Sequence, residues 1–424
     1  MINISKKILK SKTVTDFYIV LADRVLSRGI NLVLFLLIAR TLGPEKYGIY
    51  SLITVSIIFL VSIFDFGAEN IAVRFSGKYQ DKRESLFGIY LLSKTAIAIL
   101  LFVLITIFPQ LIIKLIHKPD VQKYLFIILI GFVIDGYRFL MAIYYQSLEK
   151  FIIMALINIA SFLLRLTAIF SLLQLSINDV KTIALFFSLS GLPVVFFFFK
   201  KYFSFFRALM SSKIDRSMMV EILDYGKWIV LAALPISLMM RLDFYMVTSF
   251  ATFEEMGLYN SAVQLVSFFA YIPGVFGTVF LPKASKYKDF ARMQLFVKKI
   301  IKIGIPITIL ILGVIPFSEY LIPFILGEKF VESIPFFQVL LCGFLFSLWT
   351  TMFGTVFYSL GKSKYMTLGA YMQLFVFICS ALILTPSFGI TGIAWSKVLA
   401  RASFLILVVY ILFFNIYHSY SQKI

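Results

Sequence analysis

Apolar residues run in blocks of about twenty from Phe17 to Ile416, separated by short polar punctuation. A helix rises 1.5 Å per residue and a bilayer core is about 30 Å thick, so each block is long enough to cross a membrane. The pattern predicts twelve spans, near residues 17–42, 48–66, 86–108, 124–147, 151–175, 182–199, 226–250, 258–281, 300–326, 335–359, 365–385 and 392–416. The expected class is an all-α polytopic membrane protein. The first two blocks, FYIVLADRVLSRGINLVLFLLIAR and YGIYSLITVSIIFLVSIFDF, meet at the tight punctuation LGPEKYG, where Gly43 ends one helix and Pro44 begins the next.

The spans fall into two sets of six. PEKYGIYS at 44–51 is repeated as FEEMGLYN at 253–260, each after the first span of its half. Ser76, Lys78, Tyr79 and Asp81 are echoed by Ser285, Lys286, Tyr287 and Asp289, and QSLEK at 146–150 by YSLGK at 358–362. Six spans is an even number, so both halves start on the same side and the repeats are parallel, two six-helix bundles around a central cavity. The expected division is an N-terminal half over 1–199, a basic amphipathic cytoplasmic linker over 200–225 lying on an anionic leaflet, and a C-terminal half over 226–424.

Composition supports the class. The chain is 61% hydrophobic and 14% charged over 424 residues, far from the half apolar, quarter charged balance of a soluble domain. The net charge of +19 would suggest nucleic acid in a soluble protein. Here the basic residues sit mostly in loops on one side: 25 lie on the side that holds both termini and 6 on the other, which predicts cytoplasmic termini and excludes a nucleic-acid partner. Cys342 and Cys379 lie in apolar runs and offer no disulfide or metal framework, and His117 and His418 sit at span ends without metal-ligand spacing. The polar N-terminus followed by a long apolar run does not read as a cleavable signal peptide. The loops are too short for a catalytic domain and hold no phosphate-cradling glycine loop, so neither an enzyme, a primary ATP-driven pump nor a cofactor is expected.

Chemistry is then sought among ionisable residues inside the spans, where a charge at the bilayer centre costs about 2.5–3.5 kcal/mol on insertion scales. Arg24, Ser27, Arg28 and Asn31 follow helical spacing and share one face of the first span. Arg165 shares a face with Ser161 and Asn158, and Lys397 with Arg401. With Arg241, these make a cationic set, Arg24, Arg28, Asn31, Arg165, Arg241, Lys397 and Arg401, suited to phosphate, which guanidinium forks bind well. Asp23, Asp65, Asp135 with Arg138, and Asp243 are candidates for charge pairs or for a coupling ion: Asp135 and Arg138 are three apart, and Arg241 and Asp243 two apart, so each acid has a base nearby. Arg40 and Lys94 are expected to reach back to the interface.

ARTLGPEKYGIYSL at 39–52 and DFGAENIAVR at 65–74 resemble the start of the Wzx-like flippases for lipid-linked polysaccharide repeat units, within the multidrug/oligosaccharidyl-lipid/polysaccharide exporter superfamily. The resemblance extends to the two six-helix halves, the basic linker and the echo EEMGLYNSAVQL at 254–265. It implies a bacterial inner-membrane protein that passes an undecaprenyl-diphosphate-linked oligosaccharide to the outer leaflet for O-antigen or capsule synthesis. It also implies alternating access, proton or sodium coupling, and polymerase and chain-length proteins as partners beside the membrane lipids. Arg24 and Arg28 are the residues it carries over. The alternatives are a cation-coupled multidrug exporter, which needs an acidic cavity, a lipid II flippase, which usually carries further C-terminal spans, and a non-transporting subunit of a polysaccharide synthesis complex.

Overall fold

The computed structural model describes residues 12–63, 65, 67–110, 118–211, 216–270, 290–359, 362 and 364–413. Among the described residues there is no strand. The first described helix, α1, spans Lys12–Ile63 and is kinked within the LGPEKYG punctuation at Gly43 (φ 74°, ψ 173°). Only glycine adopts that geometry without cost, and Pro44 then needs no N–H at the start of the second arm. The last described helix, α14, has the same construction and is introduced below.

Between them come α2 (Ala68–Lys78), α3 (Arg83–Ile107), α4 (Leu125–Ser147), α5 (Phe151–Gln174), α6 (Val180–Leu189), α7 (Leu192–Phe197), α8 (Phe199–Ser211) and α9 (Arg216–Met239). They are followed by α10 (Leu242–Phe250), α11 (Phe253–Phe269), α12 (Phe290–Leu326), α13 (Ile334–Ser359) and α14 (Lys364–Ile411). The kink of α14 is at Gly389 (φ 55°, ψ −135°). Among the described residues nine helical stretches are long and apolar enough to cross a membrane, two of them the 48-residue stretches that hold Gly43 and Gly389. Each of those two is a pair of helices in series. Large apolar side chains such as Phe196, Phe197 and Phe324 stand exposed, which water would not tolerate in such number but lipid does. The chain is an integral, multi-pass membrane protein.

Two expected spans are interrupted. The run at 182–199 breaks at Ser190–Gly191 between α6 and α7, and the run at 226–250 breaks at Met240–Arg241 between α9 and α10. The span expected at 258–281 is described only to Ala270, and the echo at Ser285, Lys286, Tyr287 and Asp289 lies outside the described residues.

Two compact units divide the chain: Met1–Leu42 with Ile49–Ser237, and Gly43–Gly48 with Leu238–Ile424. In the first, α8 is docked on neighbouring helices. Tyr202 and Phe205 are buried against α3 and α4, Glu84 accepts from Ser204 Oγ (2.7 Å) and pairs with Lys201, and a Cβ on Gly88 would stand 2.6 Å from the Phe205 carbonyl oxygen. Its other face, Phe199, Phe203, Phe206 and Met210, is exposed, as an interfacial helix requires. The start of α9 is fastened to α2: Glu221 pairs with Lys78 and accepts from Tyr79 Oη (2.6 Å), while Arg74 lies 4.0 Å over the Tyr225 ring. The carboxylate of Glu221 holds the Lys78 ammonium above its ordinary pKa.

In the second unit, α11 starts with a capping box in which Thr252 and Glu255 satisfy each other's backbone N–H. Gly304 makes room for Trp349, whose Nε1–H donates to Thr308 Oγ1 (3.0 Å) and ties α12 to α13.

Candidate functional site

The polar side chains inside the apolar helices form separate networks, and they differ in charge balance. In the first unit, Asp135 of α4 is buried and accepts from Arg138 Nε (3.2 Å) and from Arg165 of α5. Arg165 Nε also donates to Ser190 Oγ (3.2 Å), and its guanidinium lies 4.3 Å from the Phe187 ring centre. Arg138 Nη1 donates to Asn158 (3.2 Å), whose amide donates to Asp23 Oδ2 (3.0 Å), while Ser27 Oγ donates to Asp23 Oδ1 (3.0 Å). Asp135 thus meets two guanidiniums directly, and Asp23 is joined to Arg138 through the Asn158 amide, across α1, α4, α5 and the end of α6. The cost of burying each charge is offset only because its partners are in place.

A second closed set lies at Asp65. Its carboxylate accepts from Lys94 Nζ (3.0 Å), from Tyr90 Oη and from the Glu69 backbone N–H (3.3 Å). Lys94 therefore does not reach the interface as the sequence suggests; it is 4% exposed, drawn inward by the carboxylate.

The basic face of the first span is divided by the packing. Ser27 is buried beside Asp23, whereas Arg24 and Arg28 are exposed and Asn31 is half-buried. Asp23 and Ser27 are one turn apart and take the inner stripe, and Arg24 and Arg28 take the next stripe round the helix. Arg24 forms no hydrogen bond or ion pair among the described residues, although Glu69 lies within its electrostatic reach.

The second unit is unbalanced. Asp243, in the first turn of α10, is 2% exposed and pairs with Lys397 of α14. The Tyr259 hydroxyl of α11 donates to the same oxygen (2.7 Å). The Arg241–Asp243 pairing expected from their spacing gives way to this arrangement, because Arg241 sits outside the helix as its N-cap (φ −142°) while Asp243 faces inward. Arg241 and Arg401 both act on Asp243 or Lys397 electrostatically, yet Arg241 Nε and Arg401 Nη1 are buried with no hydrogen-bond partner among the described residues. Three cations surround one carboxylate. No three His, Cys, Asp or Glu side chains among the described residues are placed to hold a metal ion.

Tyr90, Tyr259 and Ser190 were not among the sequence candidates. Each is a hydroxyl in an apolar stretch, and its carboxylate or guanidinium partner comes from a distant segment, so spacing along the chain holds no trace of the contact.

A profile of the family described as polysaccharide biosynthesis protein matches residues 14–288. The chain belongs to that family. No curated protein sequence matches the chain significantly. Among solved structures, the lipid II flippase MurJ in an inward closed conformation matches with a TM-score of 0.73 at 16% identity, covering 92% of this chain and 86% of that one. An inward-facing multidrug resistance MATE transporter of the MOP superfamily matches at 0.69 and 15% identity over 93% and 95% of the two chains. The MATE multidrug transporter DinF-BH matches at 0.63 and 18% identity over 93% of each. At these identities the likeness establishes the fold: this member of the polysaccharide biosynthesis protein family is built as the MOP-superfamily flippases and transporters are.

Proposed function

We propose that the protein is a flippase that moves an undecaprenyl-diphosphate-linked oligosaccharide from the cytoplasmic to the outer leaflet of a bacterial inner membrane, for O-antigen or capsule assembly. Twelve spans in two parallel six-helix halves enclose a cationic cavity, and both termini are cytoplasmic. The fold alone suits a drug exporter or a lipid II flippase equally. The family favours polysaccharide synthesis, and one observation favours an anionic cargo: the first apolar helix carries Arg24 exposed and without a hydrogen bond or ion pair among the described residues, while the buried carboxylates nearby are taken by other partners. A cationic drug would need the opposite balance.

The energetics suit the cargo. A diphosphate carries about two negative charges, each worth about 2.3 kcal/mol per 100 mV, so its outward movement from a negative interior is downhill. The protein has to remove a barrier rather than supply work. Arg28 is one turn beyond Arg24 along α1, about 6 Å at 1.5 Å per residue, so a phosphate can pass from one guanidinium fork to the next. The remaining cations, Arg241 and Arg401 above all, extend the anionic path.

The test is complementation. In a flippase-deleted host, surface polysaccharide is measured with the wild type and with an Arg24→Ala, Arg28→Ala double variant at matched expression. The proposal expects loss of polysaccharide in the double variant; full complementation would reduce this face to a structural contact.

A further inference from the structure

The surface that α8 turns away from the rest of its unit carries two unlike chemistries side by side. Phe199, Phe203, Phe206 and Met210 follow helical spacing and are all about half exposed or more. Lys200, Ser204 and Arg207 follow the same spacing on the neighbouring stripe, where both cations are exposed. An open recess of about 290 Å³ joins the two stripes and is lined by Phe199, Lys200, Phe203, Ser204 and Arg207. The helix holds three cations and no acid, and packing sorts the cations. Lys201 pairs with Glu84 of α3, whereas the side chains of Lys200 and Arg207 form no ion pair or hydrogen bond among the described residues. The Arg207 guanidinium lies 5.3 Å from the Phe203 ring centre, at the border between the stripes. The nearby Glu84 carboxylate is engaged by Lys201 and Ser204, which leaves the two exposed charges uncancelled.

The depth of the recess follows from the chain. Val180–Phe197 is apolar and long enough to cross a membrane, and α8 begins two residues after it ends, at head-group level. Phe196 and Phe197 are 76% and 80% exposed, so lipid reaches the start of α8. An acidic protein seated here would leave the phenylalanines without apolar cover, and a zwitterionic lipid would leave two cations without counter-charge. An anionic phospholipid meets both needs, with its acyl chains on the aromatic stripe and its phosphate on the basic one. We propose that Lys200, Arg207 and the wall of Phe199 and Phe203 form a site for the head group of one anionic phospholipid of the surrounding leaflet. Lys200 and Arg207 are about 10 Å apart along the helix at 1.5 Å per residue, so their long side chains close on one phosphate from either side. Lys201 and Ser204 of the same helix hold Glu84 of α3, so a lipid bound to α8 also stabilises that contact. The lipid is a resident one and not the cargo, and the site does not depend on the flippase reading.

The experiment uses the full chain in a neutral detergent, titrated with dioleoyl phosphatidylglycerol or dioleoyl phosphatidylcholine and read by native mass spectrometry and thermal shift. Saturable binding of the phosphatidylglycerol is expected, tighter than that of the phosphatidylcholine by at least about tenfold. The Lys200→Gln, Arg207→Gln double variant should bring the two lipids within about threefold of each other. Lys150→Gln removes an exposed cation at the start of α5 and should leave the wild-type ratio unchanged within about twofold. Should the double variant fail to fold, the two single variants are read instead, each lowering the ratio by at least about threefold. Equal binding of the two lipids by the wild type overturns the site. So does an equal loss of preference in Lys150→Gln and the double variant, which would spread the attraction over the whole basic surface. Displacement of phosphatidylglycerol by an equal concentration of inorganic phosphate overturns the lipid as occupant and makes the recess a site for a free anion.

Discussion

Gly48 and Gly257 lie backbone against backbone. A Cβ on Gly48 would stand 1.8 Å from the Phe253 carbonyl oxygen, and a Cβ on Gly257 2.0 Å from that of Pro44. The two contacts mirror each other, since each glycine meets the residue four positions before the other, and the two segments are the repeated PEKYGIYS and FEEMGLYN. In apolar surroundings helices gain from such close approach through packing and Cα–H···O contacts, which only small residues permit. The neighbouring Asn260 Nδ2–H donates to the Tyr47 hydroxyl (3.1 Å) and Tyr47 packs edge-on to Phe330, so the crossing is also bonded from the side.

Gly48→Ala and Gly257→Ala should each therefore destabilise the protein well beyond a usual overpacking cost of about 1–3 kcal/mol, because the obstacle is backbone and not a side chain that can turn away. Thermal unfolding in detergent, or the monodisperse fraction on size exclusion, reads this. Stability equal to that of the wild type in both variants would contradict the packing.

Asp135→Asn should cost about 3–5 kcal/mol, since it leaves Arg138 and Arg165 buried without their counter-charge. Adding Arg165→Gln to that variant should recover part of the loss, which a double-mutant cycle on thermal unfolding measures. If Asp135→Asn is silent, the pairs with Arg138 and Arg165 do not hold α4 and α5 together.

On the first span, Arg28→Lys keeps the charge and loses bidentate geometry, so it should retain reduced surface polysaccharide, while Arg28→Ala should abolish it without harming insertion. Arg24 is expected to follow the same order. Equal activity of the Lys and Ala variants, at matched membrane levels, would mean that charge at these positions is not used.

Asp179 caps α6 by accepting from the Thr182 N–H (2.9 Å) and Oγ1 (2.9 Å). The backbone bond to Thr182 holds its carboxyl below the ordinary carboxylate range. A depressed folded value means that the stabilisation is present above the unfolded pKa and is lost as pH falls through the folded one. Asp179→Ala should cost about 1 kcal/mol at neutral pH, and the gap to wild type should close on acidification below the ordinary carboxylate pKa. A gap that is independent of pH would sink the assignment of this effect to the charged cap.

The repeat was legible in the sequence, because Gly48 and Gly257 stand at the same register of two similar segments. That the two glycines touch was not, since nothing along the chain encodes which helices cross. Likewise the amphipathic pattern of the linker was legible in its composition, but the docking of α8 on α3 through Tyr202 and Phe205 depended on a gap left by Gly88 nearly 120 residues earlier.

By itself the sequence determined what lipid demands. Long apolar runs have to be helices, since no water is there to satisfy the backbone, and so the class and the break at Gly43–Pro44 followed from local composition. It also placed Asp135 with Arg138, because three residues along a helix are neighbours. Which charges cancel was decided only by tertiary structure. Arg165 and Lys397 look like Arg24 and Arg401 in sequence, yet packing delivers Asp135 to the first and Asp243 to the second. Asp243 lies two residues from Arg241 and pairs with a lysine more than 150 residues away, because a carboxylate in a low-dielectric interior takes the cation that the fold brings nearest, not the one nearest along the chain.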